Sequence, residues 1–260
     1  MNKYIRLIRG MKIMQNKIDI ILHILNLSKK DFIYYKLRNG IILEVPNNKK
    51  NRTTILSIQE IFEEEIYPAS SDKDSIIVDL GAQAGLFSIY AHLKNKNAKI
   101  YCFEPDKNNY DQIVRNIKLN NINNIYPYQK AIAGKNGTLN LFINDNSSRA
   151  NSIFSEGSNF QTVSSITIKE MLKLLKVSHI DIFKVDIEGA EYESFYKTSK
   201  DTLSKIRFIF MECHNLTKNN KDYSIKGMKD FLTKNEFSII NEKEDIIIAK
   251  NENFNHNSNL

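Results

Sequence analysis

Asp79, Gly81 and Gly85 form a short segment that could hold a nucleotide-like cofactor. An apolar run at residues 76–78 precedes them, and a helical pattern begins at Leu86. The chain has only 9 glycines in 260 residues, so two glycines on one turn are a specific signal. A strand that ends at such a turn presents backbone N–H groups and a helix N-terminus at the carboxyl edge of a sheet, where α/β folds bind nucleotides.

The spacing within this turn favours one kind of cofactor over another. A dinucleotide fingerprint has glycines at its first, third and sixth positions, whereas here Ala82 and Gln83 follow Gly81. The carboxylate of Asp79 would repel a pyrophosphate and attract a cationic group. S-adenosylmethionine has a positive end and no phosphate, so we predict it as the cofactor. A nicotinamide cofactor on a Rossmann-type oxidoreductase is the alternative.

A second candidate element ends at Glu104. Residues 99–103 have the pattern of a strand, and Pro105 follows Glu104 as a stop signal. A carboxylate at the end of the second strand, roughly 20 residues after the glycine turn, is where a ribose diol is bound. We therefore expect Glu104 to hold the ribose, with Lys130 and Ala131 near the adenine.

A third apolar run, residues 180–185, ends in a cluster of charges that includes Lys184, Asp186, Glu188 and Glu191. Carboxylates crowded at one strand end repel one another unless a cation, a proton or a ligand lies among them. We expect Asp186 to face the bound methionine group or the acceptor, and Lys184 to take part in the chemistry.

A fourth apolar run, from residue 207, ends in Glu212, Cys213 and His214. Alternation along a strand directs Glu212 and His214 to one face. A histidine beside a carboxylate is a common arrangement for a general base, so His214 is the first candidate and Asp186 the second. A less favoured alternative is that Asp186, Glu212 and His214 ligate a divalent metal that lowers the pKa of an acceptor hydroxyl.

Several of these segments together resemble the FkbM-type methyltransferases of the class I S-adenosylmethionine-dependent superfamily. The resemblance covers about residues 75–215 and rests on the strings VDLGAQAGLFS, FEPD, AIAGKNGTLNLF, FKVDIEGAEYE and MECH. Family members commonly carry Asn in place of Gln83, a change that keeps the amide. The resemblance implies methyl transfer to a hydroxyl of a sugar, glycan or secondary metabolite.

Strand and helix patterns predict a Rossmann-like α/β fold, with a seven-stranded, mostly parallel sheet, an antiparallel edge and helices on both faces. Residues 73–250 would form this methyltransferase domain, with a third strand over 124–131 and a short extra strand over 137–143. Residues 1–72 would form a small α+β cap with a helix over 13–27 and a hairpin over 32–45 whose turn is Asn39-Gly40. Residues 251–260 are expected to be a disordered tail.

Composition restricts the partners. The formal net charge is +7 and the pI is about 9.1. The lysines are spread among acids and form no compact basic run, so nucleic acid is not the favoured partner. A methyltransferase that acts on RNA is therefore a weaker alternative. A small-molecule or glycan acceptor is expected, and a non-catalytic protein that binds the cofactor is a further alternative. Cys102 and Cys213 show no metal spacing, which fits a reducing cytoplasm.

The motifs do not assign a role to the N-terminal helix, to Tyr67 or to the loops around the predicted site. The N-terminal helix could contact the catalytic domain, a second subunit in a homo-oligomer, or a membrane surface. Tyr67 is a candidate pocket residue, although a buried structural tyrosine is the favoured interpretation. The acceptor pocket is expected to be formed by the cap and by loops at residues 144–162 and 214–224.

Overall fold

The computed structural model describes residues 3–69, 72, 74–143, 159–216 and 220–254. The strands are β1 Phe32–Lys36, β2 Ile42–Pro46, β3 Ile76–Leu80, β4 Lys99–Phe103, β5 Ile125–Tyr128, β6 Ala131–Ile132, β7 Gly137–Phe142, β8 Phe160–Ile166, β9 Ile180–Val185, β10 Ile206–Glu212, β11 Phe237–Lys243 and β12 Ile246–Asn251. The helices are α1 Lys3–Lys12, α2 Lys17–Ile24, α3 Thr54–Phe62, α4 Leu86–Lys94, α5 Lys107–Leu119, α6 Ile168–Leu175, α7 Glu191–Tyr196, α8 Lys200–Leu203 and α9 Ile225–Lys234, with a short 3-10 helix at Lys49–Asn51.

Seven strands form the central sheet in the order β11-β12-β10-β9-β3-β4-β5. The strands from β10 to β5 run parallel, and β12 pairs antiparallel with both β10 and β11. The predicted fold class is therefore confirmed. Leu80 of β3 is in register with Phe103 of β4 and with Val185 of β9. This register brings the residues that follow these three strands to one edge of the sheet.

The sheet lies between two apolar clusters. Because successive side chains of a strand point to opposite faces, Ile77 joins one cluster and Val78 the other. The cluster that contains Ile77 also contains Met14, Tyr35 and Ile55 from the N-terminal segment. The N-terminal segment thus shares a hydrophobic core with one face of the sheet. Among the described helices, none has the length and apolar character that crossing a bilayer requires.

The predicted helix over residues 13–27 is wrong at its start. The structure has two helices, α1 and α2, separated by an extended break at which Met14 forms a bridge with Leu37. The Gln15 amide donates to the Lys36 carbonyl at 2.8 Å. Pairing with the end of the predicted and confirmed hairpin β1–β2 therefore overrides the helical periodicity of this segment.

The three-stranded sheet β6-β8-β7 is not predicted from the sequence. The sequence predicts one strand over 124–131, but the structure divides it into β5 and β6, and β6 pairs with β8. Strand β8 also pairs antiparallel with β7, although residues 160–162 belong to the predicted acceptor loop. The polar sequence of β8 hides its strand character. Residues 144–158 and 217–219 lie outside the described residues, so their place in an acceptor pocket stays a prediction.

The last strand extends one residue beyond residue 250, the predicted end of the methyltransferase domain. Strand β12 reaches Asn251, which is buried and donates through Nδ2 to the Ile206 carbonyl at 3.0 Å. Residues 255–260 of the predicted tail lie outside the described part of the chain.

The turn after β3 requires glycine because another strand end packs against it. Gly81 has φ +71°, and a Cβ built on it would lie 1.7 Å from the Asp186 carbonyl oxygen. The Asp186 amide in turn donates to the Leu80 carbonyl at 3.1 Å. Gly40, in the β1–β2 turn, also has a positive φ of +93°, but a Cβ there would meet no atom within 4 Å.

Comparing Gly81→Ala with Gly40→Ala tests this close approach. Both substitutions place a Cβ in the left-handed region, which costs about 1–2 kcal/mol. Only Gly81→Ala also forces two strand ends apart, so it should lower the free energy of unfolding by roughly 1–3 kcal/mol more. Urea denaturation of both variants measures the difference, and equal losses would contradict the close packing.

Candidate active site

A cavity of about 1050 Å³, measured with its open mouth, lies at the carboxyl edge of the central sheet. The predicted site residues that line it are Gly81, Ala82, Gln83, Glu104, Pro105, Lys130, Ala131, Lys184, Asp186 and Glu212. Three predicted residues are not in its lining, namely Asp79, Gly85 and His214. The structure therefore brings most of the candidates to one cavity and places the others next to it.

The glycine turn and Glu104 form one end of the cavity. The Gln83 amide donates to Glu104 Oε2 at 2.8 Å, and the Asp106 amide donates to Glu104 Oε1 at 2.9 Å. Burial raises the pKa of Glu104 to about 8, although hydrogen bonds from these two amides and from the Asn109 side chain oppose the rise. Glu104 lines the cavity, and a carboxyl group can accept from one hydroxyl and accept from or donate to its neighbour, so this end of the cavity suits a ligand with two neighbouring hydroxyls.

Lys184 is the cation among the crowded carboxylates. Its Nζ lies 3.2 Å from Asp79 Oδ1 and 3.5 Å from Asp186 Oδ2, and it donates to the Gly81 carbonyl at 3.1 Å. Burial opposes the charge, but Asp79 and Asp186 hold the pKa of Lys184 above its ordinary value. Ser88 Oγ donates to the other Asp79 oxygen at 2.8 Å. Asp79 therefore faces Lys184 and Ser88 beneath the cavity, where its charge is balanced within the protein.

His214 is held by two glutamates that follow β9. Its Nδ1 lies 3.0 Å from Glu191 Oε1, and its Nε2 lies 3.2 Å from Glu188 Oε2. Burial opposes protonation, but the hydrogen bonds and charges of these two glutamates raise the pKa of His214 to about 11. The imidazole is therefore a cation at neutral pH. The sequence pattern contains both glutamates but does not show that they bind His214.

Glu212 lines the cavity and contacts the N-terminal segment. Tyr67 Oη donates to Glu212 Oε2 at 3.3 Å, so the tyrosine that we expected to be structural is also part of the site. Burial and the charge of Asp186 raise the pKa of Glu212 to about 7. The α3 residues Glu60 and Ile61 line the same cavity, as the cap interpretation predicts.

Asp186, Glu212 and His214 are also close enough to form a metal site. One donor atom from each lies within 4.8 Å of the others, and two carboxylates with one imidazole are a plausible ligand set for a divalent ion. However, both nitrogens of His214 already lie near glutamate oxygens. A metal would have to displace Glu188 from Nε2.

The cavity lies at the carboxyl ends of the strands of an open α/β sheet, which is where such sheets bind their ligands. The sequence comparison gives the family: the model described as "Methyltransferase FkbM domain" matches residues 79–239, more than half of the chain. This chain belongs to the FkbM methyltransferase family, which confirms the predicted resemblance. Its cofactor is S-adenosylmethionine, as the sequence predicts.

Individual relatives are distant. Methyltransferase sdnD of Sordaria araneosa is 27% identical over 187 residues, covering 59% of this chain and 72% of its own. Hexuronic acid methyltransferase AglP of Haloferax volcanii is 23% identical over 238 residues, covering 86% of this chain and 95% of its own. Among solved structures, methyltransferase FkbM from Methylobacillus flagellatus is 13% identical in sequence and superposes with a TM-score of 0.46. The superposition covers 93% of this chain and 60% of that one.

A double-mutant cycle tests whether Lys184 and Asp79 form a structural ion pair. Removing one partner of a buried pair leaves the other charge uncompensated, so Lys184→Met and Asp79→Asn should each lower the free energy of unfolding by about 3 kcal/mol or more. The double variant should lose much less than the sum of the two. Chemical denaturation gives all three values, and additive losses would argue that the two side chains do not interact.

Proposed function

We propose that this chain transfers the methyl group of S-adenosylmethionine to a hydroxyl of a sugar or a similar polyol. The observation that carries this proposal is that one cavity joins Glu104 and the glycine turn to Asp186 and Glu212. Glu104 and the glycine turn suit an adenosine, whereas Asp186 and Glu212 suit a hydroxyl that must lose a proton. The bound cofactor would supply an electrophilic methyl group on a sulfonium.

In this proposal the chain's own residues hold the cofactor at three places. Glu104 would form hydrogen bonds with the two ribose hydroxyls, because it lines the cavity at the end of β4. The backbone of the turn at Gly81 and Ala82 would contact the methionine part. Lys130 and Ala131 line the cavity beside Glu104 and would bound the adenine. Asp79 would act through Lys184, which fixes the turn.

The base in this proposal is Glu212, with Asp186 as the alternative. An alcohol has a pKa far above 7, so a base must take its proton as the new bond forms. Glu212 lines the cavity and its raised pKa, about 7, is close to the operating pH. The sequence favours His214, but an imidazolium held by two glutamates has no nitrogen that can accept a proton. His214 would then be a positioning residue whose charge keeps the neighbouring carboxylates in place.

The charge of the cavity bears on the acceptor. Its lining includes five carboxyl groups, of which Glu60 pairs with Arg6 and Glu188 with His214, so the acidic character rests on Glu104, Asp186 and Glu212, against two lysines. Carboxylates accept hydrogen bonds from sugar hydroxyls and repel an acidic group on the acceptor. The relative named for hexuronic acid makes sugars a reasonable class to test, whereas the lining of this cavity favours a neutral sugar.

Release of S-adenosylhomocysteine in the presence of candidate acceptors tests the proposed reaction. A panel of matched neutral sugars and hexuronic acids, free and as glycosides, should give turnover with neutral members in preference to the acids. Calorimetry with S-adenosylmethionine checks cofactor binding separately. Cofactor binding with no turnover on any hydroxylated compound would favour the alternative of a protein that binds the cofactor without catalysis.

The pH dependence of kcat tests the role of Glu212. A base with a pKa near 7 is active when deprotonated, so kcat should rise between pH 6 and 8 and level off above that range. Glu212→Gln should lower kcat by about 10²–10⁴-fold and remove this rise, while cofactor affinity stays nearly unchanged. Glu60→Gln, at another carboxylate of the same cavity, is the matched control and should leave the pH profile intact.

Two other results would reassign the base. If Asp186→Asn abolished turnover while Glu212→Gln retained it, the base would be Asp186. If dialysis against a chelator abolished turnover and Mg²⁺ or Mn²⁺ restored it, the cluster of Asp186, Glu212 and His214 would act as a metal site instead.

A further inference from the structure

Helix α2 exposes a stripe of large apolar side chains. Ile18, Ile21, Leu22 and Leu25 follow the spacing i, i+3, i+4, i+7, which places them on one side of a helix. All four are exposed, Ile18 by 75% and Leu25 by 60%. We call these four residues the outer stripe.

The outer stripe lies opposite the side of α2 that packs on the protein. Ile20 and His23 are fully buried, and His23 Nδ1 lies 2.9 Å from the Tyr35 hydroxyl. Since successive helical residues are rotated by about 100°, this pair is on the far side of the helix from the stripe. The helix is thus already docked through one side, and the outer stripe is additional apolar surface.

Positive charge is concentrated in the same part of the chain. Residues 1–30 contain seven lysines and arginines and a single acid, Asp19, so they hold six of the seven net positive charges of the whole chain. The exposed residues Lys12, Lys17 and Lys29 lie before, at the start of and after α2. Arg6 and Arg9 instead pair with Glu60 and Glu63 of the α3 region.

We propose that the outer stripe of α2 binds an anionic lipid surface, with the helix lying in the plane of the interface. An amphipathic helix whose apolar side inserts between headgroups while basic residues contact anionic lipid combines the two features seen here. A second copy of this chain is a less suitable binding partner for the outer stripe. A two-fold symmetric interface brings the same patch from each subunit together, and two strongly basic segments repel each other.

Co-sedimentation with lipid vesicles tests this proposal and does not depend on the reaction that the chain catalyses. The full chain should bind vesicles of equal parts phosphatidylcholine and phosphatidylglycerol at least about tenfold more tightly than vesicles of phosphatidylcholine alone, and added salt should weaken the binding. Ile18→Glu with Leu25→Glu should reduce binding to the anionic vesicles by about tenfold or more. Lys17→Gln with Lys29→Gln should also weaken it.

Matched controls separate the outer stripe from general surface hydrophobicity. Leu174→Glu with Ile240→Glu changes two apolar residues that are 43% and 54% exposed elsewhere, and it should leave vesicle binding unchanged. Unchanged circular dichroism and cofactor binding would show that each variant folds. If the glutamate pair at the stripe does not fold, Ile18→Ser with Leu25→Ser replaces it.

Three results would overturn the proposal. The wild-type chain could fail to bind anionic vesicles at low salt, or the stripe variant could bind them as tightly as the wild type does. Alternatively, the wild type could form a dimer in solution that the stripe variant dissociates, with no vesicle binding by either. That last result would make a second copy of the chain the partner of α2.

Discussion

The arrangement of the site depends on one buried ion pair, between Lys184 of β9 and Asp79 of β3. These two strands are neighbours and end at the same edge, so their charged residues meet beneath the cavity at 3.2 Å. Lys184 also contacts Asp186 and the carbonyl of Gly81, which ties the glycine turn to the acidic segment after β9. A single buried cation therefore fixes the floor of the cavity and balances the charges that would otherwise drive its two sides apart.

His214 provides the same kind of balance at the acceptor end. It lies between Glu188 and Glu191, and its positive charge compensates these two carboxylates, which follow β9 and are three residues apart. Glu212, which lines the cavity near Lys184 and Asp186, has its pKa raised to about 7 because it is buried and lies near the charge of Asp186. The proposed division of roles, with a cationic histidine and a glutamate base, is based on this distribution of charge.

The fold and the meeting of most candidate residues at one edge of the sheet could be predicted from the sequence because both depend on local patterns. Apolar runs that end in Asp79, Glu104 and Asp186 indicate parallel strands, and parallel strands end at one edge of a sheet. The electrostatic roles could not be predicted in the same way. The spacing of residues 184–191 shows that charges are crowded but not which of them pair, and the pairing with His214 depends on a neighbouring strand far along the chain.

The errors in secondary structure have a similar origin. The break between α1 and α2 is caused by pairing of Met14 with Leu37, a contact that helical periodicity does not contain. Strand β8 forms because β6 and β7 both pair with it, although its own sequence is polar. In both places tertiary hydrogen bonding decides the local structure.

The most direct test of the account is a crystal structure of the chain with S-adenosylhomocysteine bound. In that structure, both ribose hydroxyls of S-adenosylhomocysteine should lie within hydrogen-bonding distance of Glu104. The sulfur of the ligand should point toward Asp186 and Glu212. A ligand bound outside the cavity, or one whose sulfur points away from these two carboxylates, would contradict it.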